Sequence, residues 1–192
     1  MRRLLDGLYR LSLGAAALSL VLILAIVLTQ VAFSLLDRVL QWSGAQPLGL
    51  LIPSYAEISG YLLAAASFLA LGGAFRDAAH IRVTLILSRL DRASRRPVEI
   101  AVLALALAVT LYLAFFLGRL TWQSFTYGDL SPGLLPIPLW LPQSVMCLGV
   151  GVLAVALLDD LLRTLGGGSP VHLEAEQRAL VAGPDAGAPL ER

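Results

Sequence analysis

Four runs of about 20 or more predominantly apolar residues decide what this chain can fold into. They cover about residues 11–36, 55–75, 98–118 and 139–158. Each is long enough, as a helix, to cross a hydrocarbon core of about 30 Å. Hydrocarbon offers no partner to an open backbone, so each run is read as a helix. Composition agrees: 14% of residues are charged, where a soluble domain carries about 25%. The expected fold class is all-α integral membrane, with four transmembrane helices. The membrane domain is expected over 1–163, with a flexible cytoplasmic tail over 164–192. The tail opens on Gly166-Gly167-Gly168-Ser169-Pro170 and ends in an Ala/Gly/Pro-rich stretch, a composition that cannot bury enough apolar surface to order itself.

The first run follows a basic start at Arg2 and Arg3, as a secretion signal would. It is far longer than the roughly 7–15 apolar residues of a signal core, and no small-residue cleavage site follows, so it is expected to be retained. Orientation comes from arginine, which supplies all of the basic residues. Arg2, Arg3 and Arg10 precede the first run. Arg76, Arg82, Arg89, Arg92, Arg95 and Arg96 fill the link between the second and third. Arg163, Arg178 and Arg192 follow the fourth. Only Arg38 and Arg119 stand in the other two links. The positive-inside rule then puts both termini and the middle link in the cytoplasm.

The middle link is itself patterned. Polar Asp77, His80, Thr84, Ser88 and Asp91 recur at close to helical spacing, and Ile81, Leu85, Ile86 and Leu90 take other faces. An amphipathic helix lying at the cytoplasmic interface is expected over about 77–93, its arginines meeting lipid headgroups.

No charge falls within the inner part of any apolar run. Ionisable groups inside a bilayer usually mark ion paths and proton relays, and transport sites are commonly built from interrupted helices in paired repeats. These runs are continuous and no two halves look alike. That argues against a chain that carries a charged substrate itself, and for a scaffold or partner of another membrane protein. A net charge of +1 leaves no nucleic-acid footprint. The lone Cys147 permits no intrachain disulfide. His80 and His172 have no cysteine or carboxylate cluster around them to complete a metal site, no serine stands in a nucleophile elbow, and no cofactor is implied.

Several residues at the ends of the runs merit attention. Ser54-Tyr55-Ala56-Glu57 fits the S-x-x-E capping box, so Glu57 is either a cap or a polar contact to a partner subunit. Ala66, Ala70 and Ala74 repeat every four residues, as helices that approach closely do. Pro97 and Glu99 suit the start of the third helix. Pro136, Pro138 and Pro142 lead into the fourth, and Trp122, Tyr127 and Trp140 read as interface anchors. Asp159 and Asp160 end the fourth run against the dipole preference, with Arg163 close by.

Taken together, these residues resemble the small membrane subunit of tripartite ATP-independent periplasmic (TRAP) transporters, the DctQ family. Glu57, Arg76, His80, Ile81 and Val83 match the family pattern in the second helix and the segment after it. Trp122, Ser131, Pro136, Pro138, Trp140 and Pro142 match it between the third and fourth. The resemblance covers about residues 8–163. Tyr55 stands near the place where the family often has Trp, and Thr84 where it often has Asp.

The resemblance implies a bacterial inner-membrane protein with both termini cytoplasmic. Its partners would be a large multi-span permease subunit, a periplasmic substrate-binding protein and membrane lipids. The large subunit would move an organic anion, often a carboxylate, with sodium ions in an elevator-like motion, and this chain would brace its immobile part. Candidate interface or structural residues are Glu57, Arg76, His80, Trp122, Pro138 and Trp140, with no catalytic residue. The alternatives are a stand-alone four-helix channel or exporter, and a membrane-embedded enzyme.

Overall fold

The computed structural model describes residues 2–76 and 92–166. They form four helices: α1 (Arg2–Trp42), α2 (Tyr55–Arg76), α3 (Arg92–Tyr127) and α4 (Trp140–Leu165). All four are long and apolar enough to cross a membrane, and among the described residues there is no strand beyond an isolated bridge between Leu130 and Pro138. The chain is therefore an all-α membrane protein. The interfacial helix expected over 77–93, with His80 in it, lies outside the described residues, except that its last two positions belong to α3. So does the tail from 167 onward.

The helices stand in a row, not in a closed bundle. α1 packs on α2, α2 on α4, and α4 on α3, while α1 touches α4 only lightly. The order across the row is α1, α2, α4, α3. α4 is the central member: 33% of its most apolar window is buried inside the chain, against 11% for α3 at the edge. For convenience, the end that carries the 43–54 and 128–139 links is the loop end. The other, with the start of α1 and the finish of α4, is the terminal end.

Small residues let the row close up. A side chain at Gly149 of α4 would place its Cβ 2.5 Å from the Phe68 carbonyl of α2, so only glycine permits that approach. Val152 of α4 faces Gly72 of α2 one turn further on. Buried Ala65 and Ala66 line the same helix. Of the Ala66, Ala70, Ala74 repeat, Ala66 is buried, Ala70 half-buried and Ala74 exposed, so only its first members share in the packing. Ser12 of α1 fastens α1 to α2 by donating to the Leu69 carbonyl.

Three helices run longer than their apolar runs, α4 by continuing to Leu165. α1 continues to Trp42 and spans about 60 Å. α3 begins at Arg92 and continues to Tyr127, so Pro97 lies inside it and not at its start. Polar residues such as Gln41 and Gln123 interrupt hydropathy without interrupting helical hydrogen bonding, and hydropathy alone therefore ends these helices too early. At the terminal end, Arg96 Nη2 donates to the carbonyls of Thr164 and Leu165, each at 3.2 Å. These are carbonyls that a helix end leaves without partners. Arg163 pairs with Asp159 at 2.5 Å, one turn away, and Asp160 is buried. The acidic pair therefore divides between an ion pair and the helix interface.

Replacing Gly149 with Ala is expected to cost about 1–3 kcal/mol by overpacking. Gly151→Ala, on the same helix with open space at its Cβ, is the control and is expected to be neutral. Thermal unfolding in detergent reads both.

Candidate functional site

Most of the polar chemistry among the described residues lies at the loop end, where the backbone leaves the helices. The 43–54 link turns back along α1. Asp37 on α1 accepts from Leu48 N and Gly49 N through its two oxygens, at 2.9 and 3.1 Å. Two turns deeper, Gln30 Oε1 accepts from Ile52 N at 2.8 Å. Two polar side chains of α1 thus satisfy amides that have no helical partner.

The 128–139 link is closed by its own hydrogen bonds. Leu139 N donates to Asp129 O and Ser131 N to Ile137 O, at 3.0 and 2.9 Å. Ser131, itself buried, donates from Oγ to Leu135 O at 3.1 Å and accepts from Ile137 N at 3.3 Å. The tip residue Leu134 is 80% exposed.

The start of α2 is joined to this link. Ser54 has φ 55°, a left-handed conformation that costs a residue with a Cβ about 1–3 kcal/mol. Its carbonyl accepts from Ile58 N, the first helical bond of α2. Its Oγ accepts from Leu135 N at 3.0 Å, 81 residues along the chain. The expected capping box is therefore replaced by a tie between distant segments. Glu57 turns to the same link. Its Oε1 accepts from Tyr61 Oη at 2.9 Å, one helical turn on. Its Oε2 is buried without a hydrogen bond of regular geometry, and the Ser131 and Ser54 hydroxyls lie beside it. Gly133 packs so closely on this carboxylate that a Cβ there would overlap Oε2. Ser131 was singled out in the sequence only by its match to the family pattern, and Gly133 by nothing. Their role depends on a contact across more than 70 residues, which no local pattern encodes.

The other singled-out residues lie apart from this cluster. Trp140 opens α4 and packs edge-on against Phe125 of α3, with ring centroids 5.6 Å apart. Trp122 stacks beside Phe125 at 6.3 Å and is otherwise exposed. Pro138 pairs with Leu130 in the bridge that closes the link, and its carbonyl accepts from Leu141 N. Arg76 ends α2. Beside α4 runs an open apolar groove floored by Leu148, Gly151 and Val155, with Leu8 toward the terminal end and Trp122 and Phe125 toward the loop end. Among the described residues no group of three or more His, Cys, Asp or Glu side chains comes together. The arrangement fastens helices and links to one another, and its exposed groups are mainly apolar.

The family described as "Tripartite ATP-independent periplasmic transporters, DctQ component" matches residues 49–167. That stretch takes in α2, α3, α4 and the whole Glu57 cluster. No curated protein and no solved structure matches the chain.

Gly133→Ala and Glu57→Ala are expected to loosen the 128–139 link from α2. Limited proteolysis of the protein in membranes should show faster cleavage within that link for either variant. The double variant should be no faster than the worse single one, because both break the same contact.

Proposed function

This chain belongs to the DctQ family, the small permease component of tripartite ATP-independent periplasmic transporters, and from that membership we propose that it is a static brace for a large permease subunit. In this reading the large subunit carries an organic anion, of the carboxylate class, into the cell with sodium ions. A periplasmic binding protein delivers the anion. The loop end faces the periplasm and both termini face the cytoplasm, in keeping with the twelve-to-two division of arginines.

The observation that carries the brace is the open row. Four helices in the order α1, α2, α4, α3 surround no lumen, and each buries a third or less of its apolar window within the chain. A conducting path through one copy would need helices arranged around it. A row instead offers two broad apolar faces, suited to lying along a larger membrane protein. The ties at the loop end support the same reading, because they join α1 to its following link and α2 to the 128–139 link by fixed side-chain contacts. No residue of the cluster is assigned a role in catalysis or in coordinating the substrate.

Copurification and uptake test this directly. When the chain is expressed with the large permease subunit of the same system, the two are expected to purify together in detergent. Uptake in cells is expected to fail when this chain is deleted and to return when it is restored. Uptake by proteoliposomes containing this chain alone would contradict the proposal.

A further inference from the structure

Hydropathy places Arg119 in a link outside the membrane, but α3 runs on through it to Tyr127, and the apolar span of that helix takes in Arg119. Its depth follows from contacts across the row. α2 has 22 residues, about 33 Å of helix, which is just enough to cross the hydrocarbon core. Its middle is at Ala65 and Ala66. Gly149 of α4 lies against Phe68 and Leu69, and α2 and α4 run in the same direction, so Cys147 is level with about Ala66. Gly118 of α3 faces the Cys147 sulfur, the atom nearest to a Cβ built there, at 3.9 Å. Arg119 is therefore near the mid-depth of α2. It is also two turns below the Phe125–Trp140 ring pair at the loop end.

Arg119 points away from α4 and is exposed. Among the described residues it makes no hydrogen bond or ion pair. The other cations of the spans differ. Arg96 caps α4 and Arg163 pairs with Asp159. Arg10 is level with the terminal end of α2, and Arg38 is in the last turns of α1. Tyr112, Phe115 and Trp122 share the face of Arg119, at spacings of three and four residues, and are 67%, 65% and 70% exposed. Arginine among exposed aromatic rings is the composition of a protein interface core. A charge at this depth is costly in lipid and calls for an opposite charge. Snorkelling can lift the arginine head toward the ring pair at the loop end, which would set its contact with a carboxylate toward that end.

We propose that the Arg119 face of α3 is the seat of a membrane helix of the large permease subunit, and that an Asp or Glu side chain on that helix pairs with Arg119. The inference rests on the assignment of the chain as the small subunit. It adds the face, the depth and the charge of the contact. Arginine suits the role because its planar fork can engage a carboxylate with two parallel hydrogen bonds.

The test is copurification of the large subunit with the wild-type chain, Arg119→Leu and Arg119→Lys, together with membrane levels of each chain expressed alone. The expected result is that R119L accumulates normally but recovers about a hundredfold less large subunit, as loss of one partner of a buried charge pair implies. R119K, which keeps the charge, is expected to recover more than R119L. Equal recovery by R119L and wild type would overturn the inference and leave Arg119 as a lipid contact. Loss of R119L from the membrane when expressed alone would also overturn it, by assigning Arg119 to the chain's own fold. If the wild-type chain recovers no large subunit, the assignment as a small subunit fails first and the inference with it.

Discussion

A peptide N–H left in hydrocarbon without an acceptor costs several kcal/mol, and each element of this chain answers that cost. Along most of the chain the answer is helix, with hydrogen bonds closed inside the segment. Where the backbone leaves helix at the loop end, side chains take over. Asp37 and Gln30 receive amides of the 43–54 link, and Ser54 receives that of Leu135. Ser131 then serves both a carbonyl and an amide of its own link. These residues are polar in an otherwise apolar chain because links near the membrane need donors and acceptors that lipid does not supply.

Once the backbone is satisfied, packing decides the arrangement. Lipid tails are as apolar as leucine, so the helices gain little from burying leucine against one another. They gain from close contact, and close contact needs small residues. Gly149 and Gly72 supply it between α2 and α4, and these contacts make α4 the central helix. The large apolar side chains face outward, as Leu11, Leu105 and Leu148 do. The result is a row with two wide faces, whose α3 edge carries an arginine and exposed rings. A brace has to combine close internal contact with an unfilled surface, and the row has Gly149 and Gly72 for the first and its two faces for the second.

Much of this was legible in the sequence, for physical reasons that also mark where legibility stops. The existence of four helices follows from length and hydropathy, because the bilayer fixes both. Their ends do not: α1 passes through Gln41 and α3 through Arg119 and Gln123 because helical bonding is indifferent to the side chain's polarity. The match of Glu57 and Ser131 to a family pattern pointed toward the loop-end cluster, but the contacts of Ser131 and Gly133 with α2 depend on how two distant segments meet. The spatial order of the helices was equally hidden, since alternation along the chain suggests neighbours in sequence, whereas α2 and α4 are neighbours in space. The depth of Arg119 was lost with that order. It can be read only by stepping from α2 to α4 to α3.

A brace differs from a moving part in one measurable respect: fixing its internal geometry leaves the work undisturbed. Gly118 and Cys147 are placed for this, with 3.9 Å between the sulfur and a Cβ at position 118. In a Gly118→Cys variant, oxidation would join α3 to α4 through the native cysteine. The decisive measurement is uptake by the assembled transporter before and after that crosslink forms. A static brace predicts unchanged uptake with the two helices locked. Uptake that falls on oxidation and recovers on reduction would show that the row itself moves during transport, and would contradict the account.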